Sequence, residues 1–302
     1  MSELLPLVWH NGAVVPVAQA GPSIGSISLH MGTGVFDGLM AYWTGTEHRL
    51  FRPQDHFARF IDSAGKMGMP LPWSVVDLTA AALALAGQAP GRHCYVRPLA
   101  YRGGPELWLT GADKRPVDLS IFLVPTQRLL DRPITIHFST VERISSAAMP
   151  ISWKVCGLYV NSYLARRAAE REGFDDAILL DRNGHVSEAS AANIFVIQGT
   201  RLLTPALSGD VFPGITRRTV MEICRELDIS CVQTDIKPDT LRTATGAFLC
   251  STLMELRPVA RLEEKELATA SLPIYRAIST SFARNTVPSK GESDRTAKGA
   301  SR

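Results

Sequence analysis

No stretch of the 302-residue sequence reaches the run of about 18 uninterrupted apolar residues that a membrane-spanning helix needs. Its opening, MSELLPLVWHNG, lacks a basic segment followed by an apolar one, so no secretory leader is expected. An excess of one charge is missing too. Thirty-two Lys and Arg stand against 29 Asp and Glu, a net charge of +3 with the signs interspersed, which gives nucleic-acid binding no electrostatic support. Cysteine is scarce. Cys94, Cys156, Cys224, Cys231 and Cys250 form no CxxC pair, so neither a disulfide framework nor a zinc ribbon is expected. Reduced thiols and a cytoplasmic protein fit that usage. Lysine is scarce as well: the basic residues divide into 25 Arg and 7 Lys.

What is present is globular composition, 45% apolar and 20% charged, in a chain longer than one hydrophobic core usually holds. The element pattern is mixed α/β in two parts. Residues 1–125 read as a small N-terminal α/β domain, 126–133 as a linker between Pro125 and Pro133, and 134–287 as a larger domain. The polar segment 288–302 reads as a disordered tail. In the first part, Asn11-Gly12 between two apolar runs predicts a hairpin. Helices are expected over 54–66 and 74–86, then strands CYVRPLAY and VDLSIFLV around a glycine-rich loop at 103–116. In the second part, a helix over 159–172 is expected to turn Val160, Tyr163, Leu164 and Ala168 inward. Hairpins are expected at 181–184 and at Gly199-Thr200. A helix over 216–227 is expected to bury Val220, Ile223, Cys224 and Leu227.

Six of the seven lysines sit among polar or turn residues; Lys154 lies between ISW and VCGLYV. Snorkelling to water is the ordinary reading of such a residue. The other is a partly desolvated amine of lowered pKa, suited to forming a Schiff base. Gly214-Ile215-Thr216 opens a helix, where backbone N–H groups and a hydroxyl can hold a phosphate, although a plain turn and N-cap would look the same. Ser251-Thr252 after GAFLC offers a second anion turn. Glu188, beside the apolar run NIFVI, is either a solvated edge acid or a carboxylate facing a protonated ring nitrogen. Arg59 lies on the first helix. Arg97 lies on an apolar strand and needs an anionic partner, structural or substrate. Together these are the parts needed to hold pyridoxal phosphate.

The chain resembles the fold-type IV (class IV) pyridoxal-phosphate aminotransferases, nearest the branched-chain amino acid aminotransferases. The resemblance runs in order from about Trp9 to Val259, through GTGVFDGLMAY, LFRPQDHFARFIDSAGKM, YVRPL, the Lys154 segment, ILLDRNGHVSEASAANIFV, LLTP, FPGITRRTVMEICRELDI and AFLCSTLMELRPV. It implies that Lys154 is the lysine of the internal aldimine, that Tyr159 lies near the cofactor's phenolic oxygen, and that Glu188 faces its ring nitrogen. Arg59, Ile215, Thr216 and Thr252 match the phosphate cradle. Phe36, Tyr95, Arg97 and the Leu253-Met254 turn match the substrate pocket. The implied fold is a small N-terminal α/β domain with a larger, barrel-like α/β domain. The implied assembly is a homodimer whose sites borrow residues from the partner's small domain. The implied reaction moves an amino group between an aliphatic, branched-chain-like amino acid and a 2-oxo acid.

The sequence departs from the family at Met31, where a tyrosine is usual, and at Asp37 and Met40, where a glutamate and an arginine are usual. Leu158 replaces a common asparagine, and Ala192 a frequent glutamate. Met31 and Met40 are expected to make the pocket walls apolar and adaptable. They leave room for a D-amino acid or (R)-amine aminotransferase on the same scaffold, and a lyase resembling aminodeoxychorismate lyase is a third reading. YVRPL and VFDGL favour the first.

Overall fold

The computed structural model describes residues 4–207 and 210–287; the segment 288–302 lies outside the described residues. Two sheets organise the chain. The first has seven strands, ordered Ala13–Pro16, Leu7–His10, Asp118–Thr126, His93–Tyr101, Leu39–Trp43 and His48–Leu50, with Val35–Phe36 also paired to His93–Tyr101. Asn11 and Gly12 both take positive φ, 48° and 99°, which closes the expected hairpin. Helices Pro53–Lys66 and Val75–Ala86 cover this sheet, burying Phe57, Phe60, Leu78 and Leu85 against Leu39, Val96 and Leu123. Ser74 caps the second helix, and Asp77 returns the bond to the Ser74 backbone. A short helix, Ile27–Met31, precedes the Val35–Phe36 strand.

The second sheet has nine strands. Its order is Val186–Ala189, Asp176–Leu180, Ile134–Phe138, Glu255–Leu262, Gly246–Ser251, Asn193–Gln198, Arg201–Pro205 and Cys231–Thr234, with Lys265–Glu266 on Glu255–Leu262. Parallel and antiparallel pairings mix, and the sheet curls into a half-barrel. The run IFVI is continuously apolar because both its faces are covered: Ile194 and Val196 face one cluster, Phe195 and Ile197 another beneath helices Ile215–Glu226 and Pro273–Thr286. No helix among the described residues is long and apolar enough to cross a membrane.

Helix Tyr159–Arg171 departs from expectation. Ser162, Ala165 and Ala169 are its buried residues, packed on Ala177 and Leu179. Val160, Tyr163 and Leu164, expected inside, are 60%, 60% and 48% exposed, and Ala168 is half-buried. Small residues let the helix lie close to the sheet, so its larger apolar side chains point outward. Leu227 is also exposed, while Val220, Ile223 and Cys224 are buried as expected.

The two sheets meet at Lys154. The Phe36 N–H donates to the Lys154 carbonyl at 3.1 Å, and Cys156 and Gly157 donate to Gly34 and Gly32, each at 2.8 Å. Gly32 holds φ at 64°, and a Cβ there would press on the Gly157 backbone, so this seam needs glycine.

Candidate active site

A cavity of about 220 Å³ opens at this seam. All twelve residues that the resemblance assigned to the lysine, ring, phosphate and substrate positions line it. Phe36, Tyr95 and Arg97 come from the first sheet and Arg59 from its first helix. Glu188, Ile215 and Thr216 come from the second half, together with the turn Thr252-Leu253-Met254. Lys154 and Tyr159 come from the connecting segment.

Lys154 does not snorkel to the surface. Its Nζ donates to Tyr159 Oη at 2.7 Å and lies 4.4 Å from the Phe212 ring centre and 5.0 Å from that of Phe36. Burial lowers the amine to about 8, although Asp37 pulls the other way. Burial also raises the Tyr159 phenol, and Glu188 adds to the rise, so Tyr159 stays protonated.

Glu188 is not a solvated edge acid; it is 6% exposed. Arg143 Nη2 approaches Oε1 at 2.8 Å, while Asn193 Nδ2 and the Phe212 N–H donate to Oε2 at 3.2 and 3.1 Å. Burial raises its carboxyl above the ordinary value against the pull of Arg143. Arg143, Asn193 and Phe212 were not singled out from the sequence. FPGIT and ANIF carried two of them inside recognised segments. Nothing near Arg143 distinguishes it from a surface arginine until the chain folds.

The Ile215–Glu226 helix starts at Gly214 with no side chain bonded to its first turn, so the leading N–H groups are left for the cavity. Thr216 sits inside the helix rather than capping it. Arg59 lies opposite, its guanidinium 5.0 Å from the Phe212 ring centre and its Nη1 donating to the Pro213 carbonyl at 3.4 Å. A guanidinium, a helix N-terminus and two threonines make a donor set that fits a phosphate. A carboxylate lies deeper and a lysine amine beside a phenol, which fits the ring and aldehyde of pyridoxal phosphate.

Arg97 stacks on Phe36, 4.3 Å from the ring centre, and donates to Tyr95 Oη at 3.0 Å. Among the described residues it has no carboxylate partner, and its buried Nε is unbonded, so a structural ion pair does not explain it. Met31 and Met40 do not form the walls: Met31 is 49% exposed and Met40 is buried within the first sheet, neither lining the cavity. The apolar walls come from Ile151, Trp153, Leu158 and the 253–254 turn.

Residues 34–262 match the amino-transferase class IV family. A probable branched-chain-amino-acid aminotransferase of Aquifex aeolicus is 32% identical over 281 residues, covering 91% of this chain and 90% of that protein. The branched-chain aminotransferase of Thermoproteus uzoniensis with norvaline superposes with a TM-score of 0.87 at 30% identity, covering 92% and 93% of the two chains. The branched-chain amino acid aminotransferase from Thermobaculum terrenum in its PLP holo-form gives 0.86 at 28% identity, covering 93% and 94%. With this match and a cavity furnished for the cofactor, the chain belongs to the class IV aminotransferases and is a pyridoxal-phosphate-dependent transaminase.

Proposed function

We propose that the enzyme exchanges amino groups between aliphatic, branched-chain-like L-amino acids and 2-oxo acids, as a cytoplasmic homodimer. The observation that carries the substrate reading is Arg97: a half-buried cation, its Nε fully buried and unbonded, without a carboxylate among the described residues, beside the Tyr95 hydroxyl and apolar walls. Such a cation binds a carboxylate, and the walls accept an aliphatic side chain rather than a second charge. The names of the similar proteins support the same class of donor. The D-amino acid and (R)-amine reading drew on Met31 and Met40, and neither lines the cavity.

When bound, the cofactor supplies an electrophilic aldehyde carbon and an electron-withdrawing ring. The chain's own residues then divide the work. Arg59, Thr252 and the Ile215-Thr216 N–H groups hold the phosphate. Glu188, braced by Arg143 and Asn193, accepts a hydrogen bond from the ring nitrogen and keeps its proton there. Lys154, partly neutral near pH 7 because burial lowers it to about 8, would hold the aldehyde end of the cofactor and would carry the substrate's α-proton on its Nζ. Tyr159 holds the lysine amine in place. Five free cysteines support a reducing compartment.

The test is a set of half-reaction spectra with L-leucine, L-valine, D-alanine and an (R)-arylalkylamine. Loss of the visible cofactor band is expected with the L-amino acids. Response to the D-amino acid or the amine alone would overturn the substrate reading.

A further inference from the structure

Below the phosphate end of the cavity lies a buried ion cluster that substrate chemistry does not use. Asp37 is fully buried. Its Oδ2 accepts from Arg59 Nε at 2.8 Å and its Oδ1 from Arg59 Nη2 at 2.9 Å, a bidentate pair. His56 Nδ1 lies 2.8 Å from Oδ1, and the adjacent Gly38 N–H donates to the same oxygen at 2.7 Å. Burial alone would raise the Asp37 carboxyl, but Arg59 and His56 hold it well below the usual carboxylate range. Burial lowers the His56 ring, so it is neutral near pH 7, and the ionised carboxylate requires its proton on Nδ1. The set therefore carries one negative and one positive charge.

A guanidinium has five N–H donors in a fixed plane. Asp37 takes two along the Nε–Nη2 edge, and the Pro213 carbonyl takes one from Nη1. The two that remain, one on each terminal nitrogen, form the outer edge. Locking the inner edge fixes where the outer edge points, because the plane cannot turn without breaking both bonds to Asp37. The negative charge of Asp37 weakens the pull of Arg59 on an anion, so its contribution to a bound phosphate is orientation, not attraction.

We propose that Asp37, supported by His56, is a positioning residue that holds the outer edge of Arg59 toward the cofactor phosphate. The proposal rests on Arg59 being the phosphate arginine, and the experiment separates the two. Dissociation constants of pyridoxal phosphate and of unphosphorylated pyridoxal are measured for the wild type, Asp37→Asn, Asp37→Glu and Arg59→Met. An asparagine amide must turn a donor toward Arg59 or His56, which releases the arginine. Asp37→Asn is expected to weaken pyridoxal phosphate about 10- to 100-fold, the range of a hydrogen bond to a charged group, and pyridoxal by less than about twofold. Asp37→Glu, which keeps the charge and both acceptors, restores most of the affinity. In an Arg59→Met background, Asp37→Asn adds no further loss. Equal losses for both ligands, or no loss for either, would overturn the proposal. If Arg59→Met alone spares pyridoxal phosphate, the phosphate role of Arg59 fails first. Should Asp37→Asn not fold, His56→Leu removes one donor to Asp37 and is expected to give a smaller loss, about threefold, again only for the phosphorylated ligand; a loss shared by pyridoxal would overturn the proposal equally.

Discussion

Lys154 keeps its amine among aromatic rings and one phenol, and that setting decides its chemistry. Burial lowers the amine to about 8, so the neutral, nucleophilic form increases as pH rises toward that value. Uptake of pyridoxal phosphate by the apo-protein should accelerate about tenfold per pH unit below about 8 and flatten above it; stopped-flow absorbance would record this, and a rate flat from about pH 6 to 9 would contradict it. Lys154→Ala should lower turnover by about 10³-fold or more, since a positioned acid–base group contributes about 10²- to 10⁴-fold and no other lysine among the described residues lines the cavity. An alanine variant with wild-type turnover would remove the proposed mechanism. Glu188→Gln should retain cofactor yet slow the α-proton step by about 100-fold, about 2.7 kcal/mol of barrier, measured with α-deuterated substrate. A change below about threefold would place Glu188 away from the ring nitrogen.

At the scale of elements, the turn leading into Ile215–Glu226 would carry the phosphate end of the proposed site. Gly214 has ordinary negative φ, so its backbone would tolerate any residue; the constraint is space, because an added Cβ would collide with Asn193 Oδ1. Asn193 is also bonded to Glu188 and to the Phe212 carbonyl, so displacing it disturbs both ends of the cofactor site. Gly214→Ala should destabilise the protein by about 1–3 kcal/mol in urea unfolding and weaken cofactor retention in parallel. An unchanged midpoint would show that the turn simply relaxes. Much at this scale was legible in the sequence. The Asn11-Gly12 hairpin follows from local chemistry, and each residue of the twelve-member set reached the cavity. Ile27–Met31 was not legible, because five residues are too few to show a helical period. The buried face of Tyr159–Arg171 was not legible either, because periodicity locates an apolar stripe without saying what covers it. The Arg143–Glu188 and Asp37–Arg59 pairs join residues 45 and 22 positions apart, a proximity only the tertiary fold creates.

For the whole molecule, that outward-facing stripe becomes evidence. Val160, Tyr163 and Leu164 are exposed on one helix, and Ile24, Leu29 and Met31 are exposed nearby, joined to it through the Gly32–Gly157 seam. Trp108 and Leu109 are exposed too, on the loop whose Pro105 lies against Gly25. A face of this kind, left open to water, invites a partner. A twofold dimer would bury it twice over, since each substitution appears on both sides of a symmetric interface. Each large apolar side chain fully buried contributes about 1.5–3 kcal/mol, so Tyr163→Asp with Leu164→Asp should dissociate the dimer by orders of magnitude in Kd. The same changes face solvent in one protomer and should leave its fold intact. Sedimentation velocity is expected to give a dimer for the wild type and a folded monomer for the double variant, with cofactor-dependent turnover falling as the monomer appears. A wild type that sediments as a monomer would contradict the proposed assembly, and a double variant that stays dimeric would move the interface to another face.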